Sequence, residues 1–139
     1  MEKLDERGTA ALEFCLIAVA FFTLIFLVFD LARYAITEQS LRMLANAGAR
    51  KAMIDSCYVD PVRHKNTPTC SGDPIPSDAG KQAVAPFLYA GGLTPTLAVT
   101  IPAGATSLTV TASEPGFTMI LPLWSPALNS PSVSTSIPF

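Results

Sequence analysis

The sequence has few of the side chains that carry out most catalysis. Its single histidine, His64, lies in a polar stretch beside Arg63 and Lys65. No His, Cys, Asp and Glu residues are spaced as metal ligands usually are. The serines near the C-terminus have no neighbouring base that could activate them. We therefore expect a protein that is not an enzyme and that uses no cofactor and no metal ion.

Charged residues are also scarce. They make up 14% of the chain, and the formal net charge is -2. No block of like charge forms a basic stretch of the kind that binds nucleic acids or anionic membranes. We therefore expect no nucleic-acid partner.

What the chain does have is one long apolar run near its N-terminus. The segment Phe14–Phe29 contains no charged residue, no proline and no glycine. Extended back to Thr9, and interrupted only by Glu13, it reaches the roughly 20 residues that span a bilayer. The preceding residues 1–8 are more acidic than basic, which is not typical of a cleaved secretory signal. The sequence thus predicts a transmembrane segment at about 9–29, with membrane lipid as a partner.

The helical pattern continues beyond the apolar run. The segment Asp30–Ile54 has no proline and is rich in strong helix formers, and its apolar and small residues recur at steps of three and four. We therefore predict one long helix over 9–54. Asp30 and Arg33 lie three residues apart, either as an ion pair at the membrane exit or as a contribution to subunit packing.

The remainder, 55–139, is expected to form a small extracytoplasmic domain of the α+β class, in which a small antiparallel sheet accompanies the long helix. Composition predicts a loop over 55–76 and a short helix capped by Ser77 and Asp78. Alternating polar and apolar residues predict strands at Thr96–Ile101, Ser107–Ala112, Phe117–Leu121 and, as an edge strand, Val133–Ile137.

Cys57 and Cys70 flank part of the predicted loop and are candidates for a disulfide bond. A bond between them would close the loop and stabilise the domain by up to about 3 kcal/mol. Because disulfides persist outside the cytoplasm, the pair also favours an extracytoplasmic location for the domain. The basic residues that follow the span favour the opposite orientation, but we give the cysteine pair more weight. The third cysteine, Cys15, is expected to be a small buried apolar side chain of the helix.

Glu13 is a carboxylate inside the start of the apolar helix, where a charge costs about 2–3 kcal/mol at the membrane centre and less near an end. One interpretation is that its side chain extends to the membrane surface. The other follows from Gly8, because a charged leader, a glycine and a glutamate five residues later resemble the processing site of type IV prepilins. Cleavage after Gly8 would give Thr9 a free ammonium group with which Glu13 could pair, and this pairing would set the register between packed helices.

The resemblance extends beyond this site. Glu13-Phe14, the aliphatic span, Asp30-Leu31-Ala32-Arg33 and Gly48-Ala49-Arg50 resemble the TadE-like minor pseudopilins of the tight-adherence (Flp) type IV pilus system. The resemblance implies processing between Gly8 and Thr9, subunit registration by Glu13 and contributions to helix packing from Phe14, Asp30, Arg33, Gly48 and Arg50.

The same resemblance implies a location and partners. The protein would lie in the bacterial inner membrane with one transmembrane pass and its C-terminal domain in the periplasm, and it would take part in pilus assembly and surface adherence. Its partners would be a prepilin peptidase, other pilins and pseudopilins, and the inner-membrane assembly platform. The alternatives are an uncleaved, membrane-anchored envelope protein whose β-domain binds a protein or a glycan, and a membrane-anchored enzyme.

Overall fold

One helix contains more than a third of the chain. In the computed structural model, which describes residues 6–64, 66, 70, 72–101 and 107–138, helix α1 spans Glu6–Ile54 without a break. The predicted long helix ending at Ile54 is confirmed. The first five residues of the expected leader lie outside the described residues, and residues 6–8 continue the helix in the N-terminal direction.

The C-terminal part contains a three-stranded antiparallel sheet. Its strands are β1 (Thr96–Thr100), β2 (Ser107–Ser113) and β3 (Ser132–Pro138), in the order β1-β2-β3. Strand β2 is central, so β3 is the edge strand that the alternating pattern predicts. The α+β class is confirmed.

The sheet packs on the second half of α1. Alternate residues of β2 face the helix and are buried, namely Leu108, Val110 and Ala112. They form one core with a stripe of apolar helix residues, which consists of Leu41, Leu44, Ala45, Ala49 and Ala52. Because these helix residues recur every three or four positions, they present a single face to the sheet.

Three short helices cover the rest of this core. They are α2 (Ser56–Arg63), α3 (Asp78–Val84) and α4 (Pro86–Ala90). The prediction of an unbroken loop over 55–76 is wrong where α2 forms. The Ser77 cap is as expected, since its hydroxyl accepts a hydrogen bond from the Gly80 backbone N–H. The predicted single helix is divided at Ala85, because Pro86 cannot donate a backbone hydrogen bond and begins α4 instead.

The predicted strand at Phe117–Leu121 is wrong. These residues belong to a long connection between β2 and β3 that contains only a short 3-10 helix, Pro126–Leu128, among its described elements. The connection folds back on itself, since the Ser130 N–H donates to the Phe117 carbonyl and the Met119 N–H donates to the Asn129 side chain. We call residues 117–124 the exit loop, because they contact α1 where the apolar run ends.

Candidate functional site

The residues of the expected processing site lie together at the start of α1. Gly8, Thr9 and Glu13 line one side of the helix, with Leu12 between them. Gly8, Thr9, Glu13 and Phe14 are all exposed. Within the described part of the chain, Glu13 forms no ion pair.

The apolar half of α1 has almost no contact with the rest of the chain. Among the described residues, one helix is long and apolar enough to cross a membrane, and it is α1. No residue of its most apolar 18-residue window is buried by the protein. Cys15 is exposed there, so the expectation that it is buried is wrong within this chain. An apolar surface of this size requires lipid or other helices around it.

Asp30, the first residue after the apolar run, has a different environment. Its carboxylate is only 2% exposed. The backbone N–H of Ile120 donates to Oδ1 and Oδ2 at 3.2 and 3.0 Å, and the N–H of Leu121 donates to Oδ2 at 3.1 Å. Asp30 therefore connects α1 to the exit loop.

These contacts keep Asp30 charged. Burial by itself would raise the pKa of the carboxyl group, but the backbone donors Leu121 and Ile120 and the Arg33 guanidinium together hold the pKa below its ordinary value. The Trp124 indole lies close enough to lower the pKa as well, although its Nε1 reaches hydrogen-bond geometry with no acceptor among the described residues. The carboxylate is thus an ionised group that is stabilised mainly by the backbone of the exit loop.

Arg33 and Phe117 complete this contact. The Arg33 Nη1 lies 3.3 Å from Asp30 Oδ1, and the guanidinium lies 5.4 Å from the centre of the Phe117 ring. Phe117 is buried and meets Tyr34 edge-to-face at 6.1 Å between ring centres. Both charged residues at the predicted membrane exit therefore contact the protein's own exit loop. The sequence shows that Asp30 and Arg33 lie three residues apart, but it does not show that the exit loop contacts them.

Gly48 and Arg50 lie at the other end of the helix. A Cβ atom at Gly48 would approach the Leu97 Cδ2 to 2.8 Å and would meet Pro74 and Val110 at 3.3 Å. The glycine is needed for the close approach of α1 to β1 and β2. Arg50 is exposed. Helix packing at Gly48 is therefore packing against the sheet of the same chain.

The candidate disulfide is present. Cys57 in α2 is bonded to Cys70, with 5.8 Å between their Cα atoms. The bond joins the segment directly after α1 to the chain that leads into β1, since Gly72 pairs with Val99 across an isolated bridge. It closes the loop between Cys57 and Cys70, as the sequence predicts.

Sequence reasoning missed a buried carboxylate at the end of β2. Glu114 is 1% exposed, and its Oε1 accepts a hydrogen bond from the Gly116 N–H at 3.0 Å. This interaction closes the turn that starts the long connection, so its role in the chain is structural. The only signal for it in the sequence is an isolated acidic residue before Pro115-Gly116. In the described residues no three His, Cys, Asp or Glu side chains are grouped as a metal site would require.

Comparison with known proteins gives one match. Searches of curated proteins and of solved structures return no significant match. The family model described as TadE-like protein matches residues 8–50, which covers the apolar span, Asp30 and most of the stretch that packs on the sheet. Residues 8–50, which form most of the long helix, are therefore similar to the TadE-like family.

Proposed function

We propose that the protein is a non-enzymatic minor pseudopilin of a Tad/Flp-type pilus, cut by a prepilin peptidase and taking part in pilus assembly and surface adherence. The observation that supports this proposal best is the TadE-like match, which begins at Gly8 and includes Thr9 and Glu13. Its partners would be the peptidase, other pilins of the same system and the inner-membrane assembly platform.

The environment of Gly8 supports a role in processing. A glycine inside a helix costs about 0.5–1 kcal/mol relative to alanine. A Cβ atom at Gly8 would meet nothing within 4 Å, so packing in this chain does not require the glycine. A peptidase that must accommodate the residue before the cut would require it. We therefore place the cut between Gly8 and Thr9.

Glu13 would then become a registration residue. After cleavage the new ammonium group of Thr9 lies one helical turn from Glu13, the spacing at which helix side chains meet. The carboxylate is exposed on an apolar surface and has no ion-pair partner among the described residues. In a low-dielectric bundle an unpaired charge is costly, whereas a paired one is not. Pairing with the Thr9 ammonium of the same or a neighbouring subunit would favour one axial register.

The disulfide supports a periplasmic location for the C-terminal domain. The Cys57–Cys70 bond lies just beyond α1, and such bonds persist in the oxidising periplasm. We propose an inner-membrane protein with one pass at about 9–29 before its incorporation into a pilus.

N-terminal sequencing of the membrane-extracted protein, expressed with and without a prepilin peptidase, tests this function. A start at Thr9 only when the peptidase is present supports the proposal. A start at Met1 in both preparations contradicts it and favours an uncleaved envelope protein. Gly8→Leu should abolish the cut, and Gly8→Ala serves as the small-residue control.

A further inference from the structure

The exit loop is an unusual surface for a small domain outside a membrane. Outside the helix α1, the large apolar side chains that are exposed in the described residues are Phe87, Ile120 and Leu123. Two of them belong to the exit loop, where Ile120 is 71% and Leu123 66% exposed. No residue from Pro115 to the C-terminus is charged. The domain thus concentrates exposed apolar side chains in one uncharged segment.

The position of this segment along the helix is fixed. The N–H groups of Ile120 and Leu121 bond to Asp30, which directly follows the apolar run. At about 1.5 Å per residue, the segment Thr9–Phe29 is about 30 Å long, which matches the thickness of a hydrocarbon core of about 30 Å. With the span inserted, Asp30 lies in the headgroup layer, and the exit loop lies at the same level.

The residues of the loop suit that layer. Tryptophan concentrates at membrane interfaces, and Trp124, the only tryptophan of the chain, lies in this loop with its ring partly exposed and its Nε1 buried. The charge of Asp30, which would be unfavourable at the edge of the hydrocarbon, is covered by the loop that bonds it. The exposed side chains of Ile120 and Leu123 can therefore enter lipid without bringing an uncovered Asp30 carboxylate into contact with it.

We propose that the exit loop is a second membrane contact, with the exposed side chains of Ile120 and Leu123 inserted into the headgroup layer of the bilayer that the helix crosses and the partly buried Trp124 beside them. The proposal rests on the membrane anchoring included in the proposed function. The partner that we propose for this surface is lipid. The loop would hold the domain against the bilayer in a fixed orientation around the helix, because an interfacial contact beside the span restricts both tilt and rotation.

The single tryptophan makes this contact measurable. The full-length protein is reconstituted in phosphatidylcholine vesicles with bromine near the headgroup end or near the methyl end of the acyl chains. We expect loss of Trp124 emission with the shallow bromine and a smaller loss with the deep one. The variant Ile120→Ser/Leu123→Ser keeps the backbone donors to Asp30 and should lose most of this quenching and become accessible to iodide. The matched control Phe87→Ser, which is equally exposed but distant in sequence from the loop, should behave as the wild type.

The outcomes separate this inference from the anchoring itself. Carbonate extraction of the same vesicles shows whether the helix is inserted. If the protein resists carbonate but bromine leaves Trp124 emission unchanged, the loop does not touch lipid and the inference is wrong, while the anchor stands. The inference also fails if emission depends on the protein-to-lipid ratio and not on bromine, because a second copy of the chain then covers the loop. Removal by carbonate overturns both the anchor and the inference.

Discussion

The two halves of α1 belong to one helix but meet different surroundings. From Gly8 to Phe29 nearly every side chain is exposed, although most are large and apolar. From Asp30 to Ile54 the helix is amphipathic, and a stripe from Leu41 to Ala52 is buried against the sheet. The first half is apolar on all sides, as a helix in lipid or in a bundle must be, whereas the second has the single apolar face of a globular protein. A continuous backbone therefore does not imply a continuous structural role.

Two comparisons of similar residues, one from each half of α1, show this difference. Gly8 has open space around it, and Gly48 lies against Leu97. Glu13 is an exposed carboxylate, whereas Asp30 is buried and bonded to the exit loop. A glycine and a carboxylate are thus explained by contacts within the chain in the second half and not in the first. Substituting both members of each pair tests the comparison.

The largest effect is expected from the glycines. Gly48→Leu should destabilise the C-terminal domain by about 3 kcal/mol or more, since overpacking of a tight core contact costs about 1–3 kcal/mol and a whole side chain has no space here. Gly8→Leu should leave the domain unchanged. Urea unfolding followed through protease resistance of the domain measures both. Equal stability of the two variants would contradict the assignment of Gly48 to a packed interface.

The disulfide should matter nearly as much, and only to the second half. Replacing Cys57 and Cys70 together by serine should cost about 3 kcal/mol for a loop of this length. Membrane insertion of the span should not change, which carbonate extraction checks. The single replacement Cys15→Ser, in the exposed first half, is the matched control and should leave the urea midpoint of the domain where it is in the wild type.

Asp30→Ala should cost about 2–3 kcal/mol, because hydrogen bonds to charged groups contribute about 1.5–3 kcal/mol and the donors Ile120 and Leu121 lose their acceptor. The exit loop should become more accessible than the sheet, which hydrogen exchange of residues 117–124 would show. Glu38→Gln, which breaks the exposed pair with Arg42, should cost less than about 1 kcal/mol. A loop that stays protected in Asp30→Ala would rule out the carboxylate as its anchor.

The same carboxylate predicts a pH dependence. Since the folded pKa of Asp30 lies below its ordinary value of 3.8, its contribution to stability is complete above that value and is lost as the pH falls through the folded pKa. Protection of the exit loop should therefore decrease in strong acid. Asp30→Asn should remove the part of this decrease that depends on Asp30, as urea midpoints of both proteins across the acid range would show.

The smallest effect on folding is expected from Glu13→Gln. The domain should keep its stability, because Glu13 is exposed and lies in the half of α1 that does not pack on the sheet. The helix should insert and the leader should be cut, because glutamine keeps the shape of the side chain and removes only its charge. Crosslinks to partner pilins and the number of surface pili should decrease, since the charge that pairs with Thr9 is gone. Normal crosslinks and pili would favour a carboxylate that only reaches the membrane surface.

Much of the architecture follows from local patterns. The helix to Ile54, strands β1 and β2 and the edge strand β3 are each encoded by periodicity within a few residues. Ser77 gives a local capping signal, and the structure has that cap. These features could be predicted because each depends on neighbouring residues.

The exit loop could not be predicted in this way. Its apolar residues suggest a strand, but the backbone donors of Ile120 and Leu121 bond to a side chain ninety residues earlier. Nothing near residue 120 indicates that acceptor, and nothing near Asp30 distinguishes a buried carboxylate from an exposed ion pair with Arg33. Helix α2 was missed for a related reason, because Pro61 inside it is a local signal against a helix that packing on α1 overrides.

The bond between Asp30 and the exit loop also sets an order of events during synthesis. A chain that is made from its N-terminus exposes Asp30 long before residues 120 and 121 exist, and β3, which completes the sheet, comes later still. The long helix and the first hairpin can form early, but the contact beside the apolar run has to wait for residues 120 and 121. A nascent protein arrested before residue 120 would hold the Asp30 carboxylate without its backbone donors, with Arg33 as its partner. The domain can therefore close around Asp30 only after the exit loop and β3 have been made.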